Sequence, residues 1–286
     1  MRHHIGLIGS GISTSLSPAL HTQEAVALGL DDYRYALVDL EPTGRSPEET
    51  PDVLREAVGL GYTGFNITYP CKQAVLPALD ELSQAARLLG AVNTVQVTEG
   101  GLIGHNTDHS GFLSAFRRVL RGAALGTVAQ TGAGGAGTAV AHALAESGVR
   151  RLVLADPDPV RAEEVAARIS RAHPGCTVEP VGAVEQLADC DGLVNASPVG
   201  MEGHPGTPIE VSALHPGLWV ADIVYRPAPT ALLAAAERLG CRTLSGLHML
   251  VDQAADTFRI LTGTTPDRDR MRAHLESLLA DRQMVS

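Results

Sequence analysis

The fold is decided by one stretch, Gly126-Thr127-Val128-Ala129-Gln130-Thr131-Gly132-Ala133-Gly134-Gly135-Ala136-Gly137. Its apolar first half predicts a strand, its glycines predict a tight turn, and the alanine-rich residues 138–147 predict a helix. Other apolar runs of strand length alternate with helical segments on both sides of this stretch. Such alternation indicates an α/β fold with largely parallel sheets.

The glycines of this turn fit the pattern G-x-G-x-x-G. Gly132 permits the tight turn, Gly134 lets a pyrophosphate approach the backbone, and Gly137 lets helix and strand pack closely. The free N–H groups at the helix start face the phosphates. Asp156 ends the next strand, where the pattern expects an acidic residue for the adenosine ribose, and its charge would repel a 2′-phosphate. The turn therefore predicts a dinucleotide site that prefers NAD over NADP, and the alternative is a loop that merely turns the chain.

The remaining elements follow from the apolar pattern. Predicted strands cover residues 5–8, 33–40, 64–67, 91–97, 126–130, 151–155, 192–195 and 218–223. Predicted helices cover residues 18–28, with Ser17 as N-cap, and 52–60, 73–89, 112–120, 138–147, 160–172, 249–261 and 268–279. A second α/β block is expected to begin near Gly111.

Two polar stretches, at 66–72 and 104–108, each lie just after an apolar run, where a strand would end. The first supplies Lys72 and the second Asp108, a possible proton-transfer pair for a small hydroxylated substrate. Ser15 and Ser17 lie two residues apart before a helix, so their hydroxyls could converge on one carboxylate. The alternatives are a solvated lysine, an Asp108 that caps a helix, and a Ser17 that only caps.

Composition narrows the classes of partner. The net charge of −10 argues against nucleic acid and membrane surfaces, which attract basic patches. The four cysteines form no CxxC pair and no metal-ligand spacing with histidine, so we expect no metal site and free thiols in a reducing cytoplasm. The N-terminus lacks a signal-peptide pattern, and no apolar stretch reaches membrane-spanning length.

Six motifs together resemble the shikimate dehydrogenases, in that family's order. They are Ser15-Leu16-Ser17-Pro18, Asn66-Ile67-Thr68-Tyr69-Pro70-Cys71-Lys72, Gly90-Ala91-Val92-Asn93-Thr94, Asn106-Thr107-Asp108, Asn195-Ala196-Ser197-Pro198-Val199-Gly200-Met201 and residues 246–253. Residues 155–158 and 203–207 are most similar to the NAD-using quinate/shikimate dehydrogenases of actinobacterial type.

The resemblance implies an architecture and a reactive centre. It implies an N-terminal mixed α/β substrate domain, residues 1–110 and 246–286, beside a Rossmann domain, residues 111–245, with the active site in the cleft between them. Lys72 and Asp108 would form the catalytic pair. The implied substrate-binding residues are Ser15, Ser17, Thr68, Lys72, Asn93, Asp108, Tyr225 and Gln253.

The cofactor residues are assigned in the same way. They are Gly132, Ala133, Gly134, Gly135, Ala136, Gly137, Asp156, Asp158, Arg161, Ala196, Met201, Val224 and Gly246. NADP-type members of the family carry Asn-Arg-Thr after the second Rossmann strand, whereas this chain carries Asp156-Pro157-Asp158. Quinate-preferring relatives often have threonine where Ser17 stands, which favours shikimate.

The predicted function is an NAD-dependent shikimate dehydrogenase with quinate as a second substrate, acting as a cytoplasmic monomer or homodimer. One alternative is a dehydrogenase for an amino-substituted shikimate. Another is a redox-sensing dinucleotide binder without turnover, although a sensor has no need of the Lys72 and Asp108 pair.

Overall fold

The computed structural model describes residues 2–184 and 186–285, with side chains as far as residue 281. Its contacts divide the chain into two compact units. The first unit contains the residues up to Thr107 and those from Gln253 onward, and the second contains Asp108–Asp252. Both divisions fall inside helices.

The first unit is built on a six-stranded sheet in the order β2-β1-β3-β5-β6-β4. Its strands are β1 (His3–Gly9), β2 (Tyr33–Asp39), β3 (Gly64–Ile67), β4 (Glu81–Leu82), β5 (Thr94–Thr98) and β6 (Gly101–His105). Strands β1, β2 and β3 are parallel, and β5 runs antiparallel to both β3 and β6. Ile8, Leu54 and Phe65 lie in its buried core.

Four helices accompany this sheet before the chain leaves the unit. They are α1 (Ser17–Ala27), α2 (Thr50–Gly59), α3 (Cys71–Ala74) and α4 (Gln84–Leu89). Helix α1 begins at Ser17 itself and has no side-chain cap, so the prediction that Ser17 caps this helix is wrong. The Ser17 N–H instead donates to Ser15 Oγ at 3.2 Å.

The prediction of a single helix over residues 73–89 is also wrong. This segment contains the end of α3, a 3₁₀ turn at Leu76–Ala78, strand β4 and helix α4. Pro77 cannot donate an N–H, so the hydrogen bonds of α3 do not continue through it. Ser83 then starts α4 by accepting a hydrogen bond from the Ala86 N–H at 3.2 Å.

The second unit contains a parallel six-stranded sheet in the order β12-β11-β10-β7-β8-β9. Its strands are β7 (Thr127–Thr131), β8 (Arg151–Ala155), β9 (Thr177–Val181), β10 (Gly192–Asn195), β11 (Trp219–Asp222) and β12 (Arg242–Ser245). This is the doubly wound order in which a ligand crevice forms where the strand order reverses, between β7 and β10. The predicted α/β class is confirmed.

The remaining helices are α5 (Thr107–Val119), α6 (Gly135–Glu146), α7 (Pro159–Ala172), α8 (Ala231–Arg238), α9 (Gly246–Thr262) and α10 (Arg268–Val285). Helix α5 starts five residues earlier than predicted, because Asn93 Oδ1 accepts a hydrogen bond from the first N–H, that of Thr107, at 2.8 Å. Within the described residues, no helix combines the length and apolarity needed to cross a membrane.

Candidate active site

The predicted substrate residues of the first unit collect at one edge of its sheet. Strands β1 and β3 are parallel and end together, with Ile8 opposite Ile67. Strand β5 is antiparallel to both neighbours, so its start, Thr94, lies opposite Asn66 on β3 and His105 at the end of β6. The loops that carry Ser15, Thr68, Asn93 and Thr107 therefore leave the sheet on the same side.

Lys72 lies in α3, and the loop before it is held firmly. The Thr68 N–H donates to Ile8 O at 2.9 Å, and the Cys71 N–H donates to Thr68 O at 2.8 Å. The Lys72 carbonyl accepts from the Val92 N–H at 2.8 Å. The Lys72 side chain is half-buried. The backbone around Lys72 is thus fixed by hydrogen bonds to the end of β1 and to the segment that precedes β5.

Asp108 is the second residue of α5 and is 7% exposed. It belongs to the second unit by contacts, whereas Lys72 belongs to the first. The pairing of the two groups over one substrate hydroxyl stays a prediction. The neighbouring Asn106 has a structural contact, because its Nδ2 donates to Ala91 O at 3.0 Å.

Tyr35 is a residue near Ser17 that the sequence patterns did not identify. Its hydroxyl donates to Asn66 Oδ1 at 2.7 Å. Burial raises the pKa of Tyr35 well above its usual value, and a hydrogen bond with the Ser17 side chain acts against that rise. The phenol is therefore neutral and fixes the Ser17 hydroxyl from the β2 side. Tyr33 and Tyr35 are two residues apart and lie on the same face of β2, and this spacing is the sequence signal that could have identified Tyr35.

A buried polar network surrounds Asn93. Asn93 Nδ2 donates to Thr107 Oγ1 at 2.9 Å, and the Thr94 hydroxyl lies 3.0 Å from Asn93 Oδ1. Thr257 Oγ1 lies 2.8 Å from Thr94 Oγ1 and 3.0 Å from Thr107 Oγ1. Gln253 joins the network through its amide oxygen, because Oε1 lies 3.4 Å from Thr107 Oγ1. The structure thus brings Asn93 and Gln253 together.

The glycine turn of the second unit fits a dinucleotide. Gly132 has a φ of +94°, and a Cβ there would lie 2.5 Å from Ala196 O. A Cβ on Gly137 would lie 2.2 Å from Gly132 O, so strand and helix approach as closely as backbone allows. Gly134 has no atom within 4 Å of a Cβ position, and it precedes a helix without a side-chain cap. This open, uncapped helix start suits a pyrophosphate.

Two buried side chains hold the turn in this shape. Gln130 Nε2 donates to Gly132 O and to Gly137 O, both at 2.8 Å. Asp156 Oδ2 accepts from the Ala133 N–H at 2.7 Å. Asp156 therefore supports the turn, in addition to its predicted contact with a ribose. Gln130 was missed although its partners lie only two and seven residues further along the chain, because the glycine pattern does not show which strand residue bonds to the turn.

Asp158 and Arg161 lie beside the turn at the start of α7. Asp158 Oδ1 caps this helix by accepting from the N–H groups of Val160 and Arg161. The Arg161 guanidinium lies 3.3 Å from Asp156 Oδ1 and 3.1 Å from Asp158 Oδ2. The positive charge of Arg161 is thus shared by two carboxylates.

The other predicted cofactor residues follow β10, β11 and β12. The Ala196 N–H donates to Thr131 O at 2.7 Å, and the Val224 N–H donates to Asp222 Oδ1 at 3.0 Å. A Cβ on Gly246 would lie 2.3 Å from Ile223 O. Met201 is 41% exposed, and Tyr225, which was predicted to bind the substrate, is 38% exposed. These residues therefore lie beyond the carboxyl ends of neighbouring parallel strands, where such sheets bind ligands.

A doubly wound sheet with this turn, joined to a unit rich in hydroxyl and amide groups, defines a dinucleotide-dependent oxidoreductase. Comparison with known proteins identifies the family. Residues 7–95 match the Shikimate dehydrogenase substrate binding domain, and residues 246–276 match the Shikimate 5'-dehydrogenase C-terminal domain. The chain belongs to the shikimate dehydrogenase family, as its motifs predicted.

Its relatives are similar over almost their whole length. A Shikimate dehydrogenase (NADP(+)) of Streptomyces avermitilis is 49% identical, over 96% of this chain and 95% of that protein. A Quinate/shikimate dehydrogenase (NAD(+)) of Corynebacterium efficiens is 47% identical, over 96% and 98%. The quinate dehydrogenase of Corynebacterium glutamicum, solved in complex with NAD, superposes with a TM-score of 0.89 at 44% identity, over 96% and 99%. The cofactors named for these three relatives, NADP and NAD, are both nicotinamide dinucleotides.

Proposed function

We propose that this protein oxidises shikimate, and quinate as a second substrate, to the corresponding 3-dehydro ketone, reversibly and with NAD. The observation that carries the proposal is the common sheet edge of the first unit, from which Ser15, Thr68, Lys72 and Asn93 all leave. Hydroxyl, amide and ammonium groups suit a small carboxylate that carries several hydroxyls. The names of the relatives support the same substrates.

Each group in the first unit has a distinct task in this proposal. Ser15, Ser17 and the N-terminus of α1 bind the carboxylate, through the two hydroxyls and the positive end of the helix dipole. Thr68, Asn93 and Gln253 bind ring hydroxyls. Lys72 exchanges the proton of the reacting hydroxyl, and Asp108 binds the same hydroxyl. The bound nicotinamide supplies the hydride chemistry.

Lysine composition supports this role for Lys72. Lys72 is the only lysine in the sequence, and the other basic residues that make up the 22 lysines and arginines are all arginine. A guanidinium keeps its proton in proteins, whereas an ammonium can give one up and take it back. The presence of a lysine at this position, in a chain that otherwise uses arginine, supports proton exchange there.

The preference for NAD rests on the residues after β8. Two carboxylates, Asp156 and Asp158, would repel a 2′-phosphate, and the Arg161 guanidinium that could attract one is paired with both. The relatives are named for either cofactor, so kinetics must decide. We expect kcat/KM to be at least about tenfold higher with NAD than with NADP, which corresponds to about 1.4 kcal/mol. A preference for NADP would overturn this part of the proposal.

The decisive experiment is steady-state kinetics with shikimate and quinate, each against both dinucleotides. We expect NADH formation with both substrates and a higher kcat/KM for shikimate. Absence of turnover with either substrate, from protein that binds NADH, would refute the proposed reaction. The four cysteines are all unpaired in the structure, which supports our proposal of a cytoplasmic, reducing location.

A further inference from the structure

The hydroxyl network beside Asn93 contains more contacts than hydroxyl protons. Four contacts join five side chains in a row: Asn93 to Thr94, Thr94 to Thr257, Thr257 to Thr107, and Thr107 to Gln253. The first three contacts are 2.8–3.0 Å long, and each needs one hydrogen. The fourth joins Thr107 Oγ1 to Gln253 Oε1 at 3.4 Å, which is longer than an ordinary O–H···O bond, and it too needs a hydrogen if it is to become one. The three threonine hydroxyls supply one hydrogen each, so the fourth must come from an amide.

Asn93 cannot supply the missing hydrogen. Its Oδ1 accepts from the Thr107 backbone N–H at 2.8 Å, and its Nδ2 donates to Thr107 Oγ1 at 2.9 Å. These two contacts fix the orientation of the Asn93 amide, because a backbone N–H only donates. The oxygen of Asn93 is therefore the atom that meets Thr94, and it can only accept. The missing hydrogen must therefore come from the Gln253 amide, at the other end of the row.

We propose that Thr257 and Thr94 are positioning residues that orient Gln253 with its amide nitrogen toward Thr107 and its amide oxygen toward the ligand. The structure has Gln253 Oε1 on the Thr107 side, and the proposed orientation is the half turn of this amide, which exchanges oxygen and nitrogen without a change of shape. Gln253 then donates to Thr107, Thr107 to Thr257, Thr257 to Thr94, and Thr94 to Asn93. Thr107 Oγ1 accepts twice and donates once, which uses its full capacity.

Burial gives this arrangement its energetic weight. Thr94 and Thr257 are 0% exposed, and Thr107 is 2% exposed. A buried polar contact without its hydrogen is costly, because no water can replace the missing partner. The hydroxyls therefore donate in only one favourable order along the row. Thr257, one helical turn from Gln253 on α9, takes part in this order and so influences the orientation of the Gln253 amide.

The consequence concerns which ligand group Gln253 recognises, and it rests on the proposed function. An amide oxygen accepts, so the ligand group beside it must donate a hydrogen. A hydroxyl satisfies this requirement, whereas a methoxy or keto group at the same ring position does not. The structure thus assigns to Thr257 a part in substrate specificity, although we place it outside contact with the substrate.

The test is a double-mutant cycle between Gln253→Glu and Thr257→Val, read by the thermal unfolding midpoint. A glutamate carboxylate has no N–H, so Q253E leaves one contact of the row without a hydrogen. Removal of the Thr257 hydroxyl deletes two contacts and frees the Thr107 hydrogen for the carboxylate. We expect the loss of midpoint caused by Q253E to be smaller by about 2–4 °C in the T257V background.

Matched variants complete this experiment. Thr262→Val removes a hydroxyl from the same helix that bonds only to Phe258 O and to neighbours at its C-terminal end, so it should leave the effect of Q253E unchanged. If T257V fails to fold, Thr94→Val serves instead, because it also leaves two contacts with two hydroxyl hydrogens. If Q253E lowers the unfolding midpoint by the same amount in the wild type and in T257V, the assigned orientation is overturned.

The kinetic arm separates this proposal from the proposed reaction. We expect T257V to raise KM for shikimate by about three- to tenfold with kcat within about twofold of wild type, since a freed Thr107 lets the amide reverse. An unchanged KM would overturn the positioning role. If the wild type does not oxidise shikimate while the coupling in unfolding persists, the reaction is wrong and the orientation stands.

Discussion

At the scale of single residues, the side chains proposed for the chemistry differ from the side chains that support them. Lys72, Ser15 and Thr68 belong to sequence motifs, whereas Tyr35, Gln130 and Thr257 became visible only in the structure. Motif residues lie in short loops, and the many polar residues of such loops can be recognised from the local sequence. Supporting residues act through contacts such as that between Thr94 and Thr257, which are 163 positions apart in the chain.

The single lysine permits a direct prediction at this scale. We expect Lys72→Ala to lower kcat by about 10²–10⁴-fold while KM moves little, because the proton exchange is lost and the binding groups remain. Lys72→Arg is the matched variant, since it keeps the charge but cannot exchange the proton, and it should be nearly as inactive. A kcat for K72A within threefold of wild type would remove Lys72 from the mechanism.

Selective acylation provides an independent check on Lys72. An amine-reactive reagent can modify only this side chain and the N-terminal amine, because no other lysine is present. We expect activity to fall in step with acylation of Lys72, measured by mass spectrometry, and shikimate to slow the reaction. Full acylation of Lys72 with retained activity would contradict its assignment.

At the scale of elements, the glycine turn was predictable because its pattern is local. The strand, the turn and helix α6 all follow from the continuous stretch 126–147, and the structure has them in that order. The edge strand β9 was missed because its side chains are largely exposed and give no apolar alternation. The segment after Lys72 was predicted as a helix because its apolar spacing outweighed the effect of Pro77.

The turn supports a prediction that separates folding from binding. Gly137→Ala should lower the unfolding midpoint, because its Cβ would lie 2.2 Å from Gly132 O. Gly134→Ala should leave the midpoint unchanged, because nothing lies within 4 Å of its Cβ, yet raise KM for the dinucleotide by at least about tenfold. KM and thermal unfolding measured together check both.

Gly175→Ala is the control for this pair. It lies in an exposed loop of the same unit with no atom within 4 Å of its Cβ position. It should change neither the midpoint nor KM. An unaltered KM in G134A would mean that the backbone at residue 134 is not approached by the pyrophosphate.

At the scale of the whole molecule, two buried histidines predict acid sensitivity. Burial lowers the pKa of His21 to about 4, and burial together with nearby His173 lowers the pKa of His142 to about 3. Unfolded histidine titrates near 6.5, so between that pH and these lowered values the unfolded chain binds more protons. Stability therefore falls as pH falls through this window, by up to about 1.4 kcal/mol per pH unit for each histidine.

Chemical denaturation between pH 7 and pH 4.5 measures this dependence. We expect His142→Gln to reduce the slope of the unfolding free energy against pH, because the substituted side chain does not titrate. The exposed His204→Gln is the matched control and should leave the slope unchanged. A slope in H142Q as steep as in the wild type would show that the acid sensitivity arises from other groups.

The discontinuous first unit has a consequence for how the protein is made. Glu24 is 1% exposed, and its carboxylate bonds to the Arg270 side chain and the Asp267 backbone N–H. Those partners leave the ribosome more than 240 residues after Glu24 itself. During translation, residues 1–107 therefore lack these C-terminal partners until residues 108–252 have been synthesised. A premature stop codon ahead of α10 would therefore damage the opposite end of the polypeptide.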